Sequence, residues 1–497
     1  MADAPQSSYK QIVKATSIFG GVQAFNILLA VVRTKLVAVL LGPAGMGLNG
    51  LLTGTTAMVA SLTDLGLSFS AVKDIAAAHA SGDAQRMALT AKVFRRLVWF
   101  SGLLGTAVTL LAAPWLSEFA FRHRGYTQAF MVVSVTLLLG QLTASRNVLL
   151  QGTRRLTDLA MANVAGGTAG LAVSLPFYLV YGEQGIVPAI VASAVASLAI
   201  AAFFGRRVQV QDVEVSAEQT LALGRSMVAM GIVISVNGLL LSGTAYLLRV
   251  FISSHGSLAD VGLYSAGFGV LNTYVGMVFN AMLSDYYPRL TAAIPEESRW
   301  RQIVNDQANF ALLVLAPILV GFIVFIRLVV LLLYSDRFLA IDTMMRWAAL
   351  GVLLKAASWP MGFLFVPKGH ARLFFLSELA GNVYMLALNI AGYYWFRLTG
   401  LGVAFCAGYA IYFLQLVVMT QRAYGFHYNR GFFRLLALQG LLSVLTFGAV
   451  SWLPPLPGYA IGAGVLALSG WLSLKELNKH LDLRGLVAKV VGRLRRN

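Results

Sequence analysis

The sequence predicts an all-α integral membrane protein of about fourteen transmembrane helices, in two six-helix lobes plus a C-terminal helix pair. Three observations carry this. Apolar stretches of about 20 residues, enough to cross a hydrocarbon core of about 30 Å, recur along the chain, which is 58% hydrophobic and only 12% charged. The basic residues fall overwhelmingly into alternate connecting loops. A short pattern of cation and glycine near the start returns about 216 residues later.

Windows of hydropathy place spans near 15–41, 46–70, 97–116, 128–149, 159–181, 184–204 and 226–252. Seven more follow near 260–284, 308–334, 347–366, 373–396, 399–420, 435–453 and 458–474. The first stretch is too long for a signal peptide and lacks a small-residue cleavage site, so it is expected to remain as a helix. The last is short and flanked by PPLPG, so twelve spans plus a hairpin also fits.

With both termini in the cytoplasm, the inner loops and tails hold 28 of the 38 Lys and Arg. The outer loops hold Arg122, Arg124, Arg337, Arg346 and Arg397, and five cations lie inside spans: Arg33, Lys35, Arg249, Arg327 and Lys355. The positive-inside rule therefore orients the chain. The net charge of +18 is mostly this topology signal, and it also suits an anionic inner leaflet; no nucleic-acid partner is expected. A single cysteine, Cys406, excludes a disulfide framework, and the scattered histidines exclude ordinary metal-ligand spacing. No cofactor is expected.

In NILLAVVRTKLVAVLLGPAGMGLNGLL, Arg33 precedes Gly47-Leu48 by 14 residues; in AYLLRVFISSHGSLADVGLYSAG, Arg249 precedes Gly262-Leu263 by 13. Six helices return the chain to its starting side, so such a repeat is parallel, with a pseudo-two-fold axis along the membrane normal. The expected organisation is an N-terminal lobe at 1–208, a cytoplasmic linker at 209–225, a C-terminal lobe at 226–422, two further helices at 423–474 and a basic tail at 475–497. The tail sets Leu483, Leu486, Val487, Val490 and Leu494 largely opposite Lys479, Arg484, Lys489 and Arg493, the pattern of an amphipathic surface helix.

A cation at the centre of a span costs about 2.5 to 3.5 kcal/mol on the insertion scale, so five of them point to an anionic passenger. On the first span Gln23, Asn26 and Arg33 share a face, and on the seventh Ser235, Ser242 and Arg249 do. Snorkelling to headgroups accounts for either arginine alone; the matched positions favour a cavity. Lys35 lies about 200° around the helix from Arg33 and is the weaker candidate. Lys355 sits near mid-membrane, where snorkelling is hardest, whereas Arg327 reads as a packing or snorkelling residue. Glu378, Asn382 and Asn389 share a face of the eleventh span. An intramembrane carboxylate is a candidate for binding a coupling ion, a proton or sodium, so Glu378 and Asp64 are candidate coupling or gating residues. Capping or pairing with an inner-loop arginine accounts for Asp64 equally well. No G-x-x-x-x-G-K-[ST] phosphate loop appears, and no nucleophile–base pair stands out, so neither ATP hydrolysis nor other enzymatic chemistry is expected.

The pieces RTKLVAVLLGPAGMGLNGLL, SLTDLGLSFSAVKDIAAAHASGD, APWLSEFAF, QLTASRNVLLQGTRRLTDLAMANVAGG and GIVPAIVASAVAS, in this order, resemble the polysaccharide-exporter branch of the multidrug/oligosaccharidyl-lipid/polysaccharide flippases. The likeness is to its O-antigen and lipid III translocases over roughly 10–205, thinning to about 420. It implies alternating access and a cargo of undecaprenyl-diphosphate-linked oligosaccharide, moved to the outer leaflet of a bacterial inner membrane. It also implies partners among membrane lipids and other polysaccharide-assembly proteins. A diphosphate calls for Arg and Lys, which assigns Arg33, Arg249, Lys355, Lys35, Gln23 and Asn26 to the substrate. The alternatives are a drug/cation antiporter, which would favour an acidic cavity, and a membrane glycan polymerase or ligase, which needs a longer outer loop than the dozen residues available.

Overall fold

The computed structural model describes the backbone of residues 4–211 and 213–480, and the side chains of 25–479 apart from 69, 212, 226, 230, 232–238 and 240–241. The Gln23 and Ser235 side chains and the tail beyond residue 480 lie outside the described residues. Among the described residues there is no strand, and ten helical stretches are long and apolar enough to cross a membrane. In lipid this follows from backbone chemistry: helices satisfy every N–H and C=O internally, without water.

The chain forms two compact units, one of residues 1–262 with 333–335, the other of 263–332 with 336–497. In the first, α1 (Ala4–Thr63) is broken at Gly42, whose φ of 66° suits a residue without Cβ, and Pro43 restarts the helix at a position where its missing N–H costs nothing. The second predicted span then ends at Thr63 rather than 70. Leu65 and Gly66 both take positive φ there, and the chain turns into a separate helix, α2 (Leu67–Ala80). The hydropathy windows merged this helix into span and loop. Instead its apolar face, Leu67, Ala71 and Ile75, joins a core with Phe94, Val98, Val148 and Met227.

Asp83 starts α3 (Ala84–Phe121) by accepting hydrogen bonds from the Gln85 and Arg86 amides at 2.9 and 3.0 Å, satisfying two of the free donors of the first turn. The short α4 (Thr127–Val133) leads into α5 (Val135–Gly152), and α6 (Leu156–Tyr181) and α7 (Ile186–Gly205) pack as a hairpin about a turn at 182–185. A capping box of Ser216 and Gln219 opens α8 (Ala217–His255), which packs along α1, α2 and α3. That packing places α8 in the first compact unit, which runs to Gly262.

At the start of α9 (Leu258–Val270) the two matched fragments meet. A Cβ on Gly47 would stand 1.9 Å from the Leu258 carbonyl oxygen, and one on Gly262 would stand 1.8 Å from that of Pro43. Pro43 and Leu258 are separated by the same interval as Gly47 and Gly262. Such reciprocity is what a local two-fold relation produces.

The second unit continues through a π-turn at Leu271–Val275 into α10 (Gly276–Ala293), α11 (Glu297–Leu333) and α12 (Asp342–Gly362). The inner face of α12, including Met344, Met345, Ala348, Ala349, Ala356 and Ala357, is wholly buried. Arg346, read from sequence as an outer-loop cation, is also buried there, donating to Asp342 at 2.8 Å and to the Val450 carbonyl at 3.2 Å. Against α12 lies α13 (Ala371–Tyr424), which reverses at Arg397; Gly392 and Gly400 face each other so closely that a Cβ on Gly400 would stand 1.8 Å from the Gly392 oxygen. Tyr394, Trp395 and Phe396 beside the reversal are exposed, as an aromatic interfacial belt requires. Finally α14 (Arg430–Trp452) and α15 (Pro455–His480) are pinned by Gln439, which donates to Ser473 at 3.1 Å and accepts from Ser469 at 2.7 Å, all three buried.

Candidate functional site

Arg249 of α8 lies against the second half of α1, where Gly54 leaves room for it: a Cβ there would stand 3.4 Å from Arg249 Nη1 and 3.2 Å from the Tyr246 ring. Tyr246, one turn earlier on α8, hydrogen-bonds Thr55 at 2.7 Å and so fixes the α8–α1 contact. Arg249 is half-buried, and its Nε is buried with no hydrogen-bond partner. Arg33 is exposed on the first half of α1, with its field acting on the buried Tyr178 of α6. Among the described residues neither arginine has a carboxylate partner. Asn26 is half-buried on the same helix, and Lys35, also half-buried, has a partner.

Asp64 lies at the turn between α1 and α2, in a cavity of about 350 Å³. Thr53, Thr56, Ser61, Ser68, Thr136 and Gln141 contribute polar groups to its wall. Thr53, Thr56 and Ser61 give their hydroxyl protons to carbonyls of their own helix, at 2.6, 3.1 and 2.9 Å, which leaves oxygen lone pairs for the cavity. The Gln141 side chain reaches the carboxyl, but Asp64 Oδ1 and Gln141 Oε1 are both buried without a donor. This wall is rich in acceptors and short of donors. It suits a proton or a hard cation. Among the described residues no group of three His, Cys, Asp or Glu side chains is placed to hold a metal ion.

In the second unit Lys355 of α12 projects between two rings, its Nζ 5.6 Å from the Phe279 centroid and 5.4 Å from that of Tyr409. Among the described residues it has no carboxylate partner; ring quadrupoles hold the charge instead. Tyr409 is packed edge-on to Tyr412 at 6.2 Å, and the Tyr412 hydroxyl donates to Glu378 Oε1. Lys355 and Glu378 are thus joined through two tyrosines rather than as an ion pair. Tyr384 also lies in the field of the Glu378 carboxylate, with its hydroxyl buried and unpartnered. The amides of Asn382 and Asn389 turn back to their own helix, donating to the Glu378 and Met385 carbonyls at 2.8 and 2.7 Å. Of the expected stripe on α13, Glu378 alone uses its side chain to join another segment.

Sequence reasoning missed Tyr246, Gln141, Tyr409 and Tyr412. The available signal was a polar tip inside an apolar run: Gln141 stands alone in LLLGQL, and Tyr409 and Tyr412 share a face at a spacing of three in GYAIYF.

A family model described as polysaccharide biosynthesis protein matches residues 36–342. The lipid III flippases of Escherichia coli K12 and Shigella flexneri are each 22% identical over 395 residues, covering 76% of this chain and 91% of theirs. Among solved structures, lipid II flippase MurJ in an inward closed conformation superposes with a TM-score of 0.65 at 10% identity, over 93% of this chain and 99% of that one. An inward-facing multidrug resistance transporter of the MATE family gives 0.63 at 14% identity, over 80% and 94%.

Proposed function

The chain belongs to the polysaccharide biosynthesis protein family, and from that premise we propose that it is a flippase for lipid-linked oligosaccharide. In this reading it carries an undecaprenyl-diphosphate-linked repeat unit from the cytoplasmic to the periplasmic leaflet of a bacterial inner membrane, by alternating access and without covalent chemistry. The helix breaks at Gly42, 182–185 and Arg397 are here taken as boundaries between crossings, and α8 is counted as a further crossing, for fourteen in all. Both termini are then cytoplasmic. The two six-helix lobes are 1–208 and 226–422, joined by the linker 209–225, and α14 and α15 stand outside the repeat.

The observation that carries the reading is that Arg33, Arg249 and Lys355, each inside a span, have no carboxylate partner among the described residues. A cation held without an acid in a low-dielectric setting is costly, and a diphosphate removes that cost while accepting bidentate hydrogen bonds from guanidinium groups. Lys35, Gln23 and Asn26 extend the same helix face or its flank. The coupling ion, a proton or sodium, is assigned to the Asp64 cavity or to Glu378, with Asn382 and Asn389 supporting the helix that carries Glu378. The drug/cation antiporter alternative draws on the likeness to multidrug transporters, yet cationic cargo would leave these three cations unused.

The experiment is complementation of a deletion strain with single Arg33→Ala, Arg249→Ala and Lys355→Ala variants, each quantified in the membrane, with surface glycan as readout. Loss of glycan at normal protein level supports the reading. Normal glycan in all three removes these residues from the mechanism.

A further inference from the structure

Between α3, α5 and α7, at the end of the first unit that carries the basic loops, lies a second cavity of about 420 Å³. Its polar wall consists of Lys92, Arg95, Arg146, Ser145 and Gln211, and the indole of Trp99 stands at its side, about half exposed. Its described lining holds three cations and no carboxylate. Arg146 is half-buried, and its aliphatic stem lies on the bare backbone of Gly205, where an added Cβ would stand 2.9 Å from Arg146 Cδ. The charges of Arg95 and Arg206 both act on Arg146, so the cluster is self-repelling.

Four neighbouring cations have partners. Asp158 pairs with Arg207 at 2.6 Å and with Arg155 at 3.3 Å, Arg96 donates to the Val215 carbonyl at 2.7 Å, and Lys92 already has a partner. Arg95 and Arg146 have none among the described residues. Two guanidinium groups facing a common void favour a phosphate, whose oxygens match their planar donor forks. The rest of the wall, Leu142, Leu149, Leu198 and Ala202, is apolar, as the glycerol and first methylenes of a lipid require. Trp99 marks interfacial depth. Basic pockets between helices on this side of a membrane are where anionic headgroups bind.

We propose that this cavity is a lipid-phosphate site, seated by Arg95 and Arg146, separate from the cations assigned to the transported diphosphate. It needs the membrane reading but not the flippase reading. The phosphate can belong to a bulk anionic phospholipid or to a polyprenyl diphosphate in the same leaflet, and the test separates them.

The full chain, purified and delipidated, is titrated with cardiolipin, phosphatidylglycerol, undecaprenyl diphosphate and, as a control without net charge, phosphatidylcholine, with retention read by native mass spectrometry. The anionic lipids are expected to be retained and phosphatidylcholine released. R95Q/R146Q is expected to weaken retention at least tenfold, while R372Q, at an exposed basic position in the other unit, leaves it unchanged. Preference for cardiolipin or phosphatidylglycerol identifies a bulk-lipid site, and preference for undecaprenyl diphosphate a site for the polyprenyl carrier; either supports the assignment. Because removing two arginines can impair folding, A202F serves as a second variant that fills the cavity and keeps its charges, with the same loss expected. Retention by A202F and by folded R95Q/R146Q equal to that of the unsubstituted chain overturns the proposal.

Discussion

Replacing Gly47 by alanine tests the reciprocal contact on which the matched fragments converge. The new Cβ would begin 1.9 Å from the Leu258 oxygen and 3.0 Å from the Gly262 amide nitrogen. Carbon–oxygen contacts between packed backbones settle at about 3.3 to 3.6 Å, so the two segments must part by about 1.5 Å. Both partners are backbone, so no side chain can swing aside, and the cost falls in the range of overpacking, about 1 to 3 kcal/mol. Gly262→Ala meets the mirror-image contact, 1.8 Å from the Pro43 oxygen, and is expected to cost the same. Once one alanine has parted the segments the second finds room, so the double variant costs less than the sum by about 0.5 kcal/mol or more. The measurement is equilibrium unfolding in detergent micelles, with Gly464→Ala as control, since a Cβ there meets nothing within 4 Å. That control is expected to be neutral or to stabilise by up to about 1 kcal/mol, the helix-propensity gain. Strict additivity, or a Gly47→Ala as benign as the control, would refute the contact and the local two-fold relation drawn from it.

Three further outcomes are expected. Tyr412→Phe removes the donor to Glu378 and costs about 1.5 to 3 kcal/mol in the same unfolding assay; if Glu378 couples ion to cargo, Glu378→Gln also slows transport, which flux in proteoliposomes under imposed proton and sodium gradients reads directly. Phe279→Leu weakens the cradle of Lys355 by about 0.5 to 2 kcal/mol of cation–π attraction, seen as a lower unfolding midpoint, whereas Lys355→Gln is expected to abolish surface glycan at normal protein level. Gln439→Ala strips the buried link between α14 and α15 and leaves Ser469 and Ser473 without their partner; the loss, about 1 to 3 kcal/mol, should appear as faster limited proteolysis at 453–458.

The all-helical membrane class was legible from hydropathy along the sequence because transfer of apolar side chains into hydrocarbon adds residue by residue, with no knowledge of neighbours in space. The isolated cations were legible for the same reason, since a charge within such a stretch stands out against its local background. The break at Gly42 lies in the predicted interval between the first two spans, and the recurrence of Arg33–Gly47 as Arg249–Gly262 already paired the two glycines that the structure brings into contact.

What each polar group touches was decided by packing. Helical periodicity placed Glu378, Asn382 and Asn389 on one face, yet their rotamers divide them: two amides return to the backbone of α13 and the carboxylate accepts a hydrogen bond from the Tyr412 hydroxyl, 34 residues away. Helix α2 was hidden because its apolar face is completed by Phe94, Val148 and Met227, which no local window includes. The oxygen-lined cavity beneath Asp64 and the arginine cavity behind Trp99 are each assembled from helices far apart in the chain. Partition into the membrane is a sum over single residues and is written in their order; pairing of charges is a relation between distant ones, and it exists only once the helices have met.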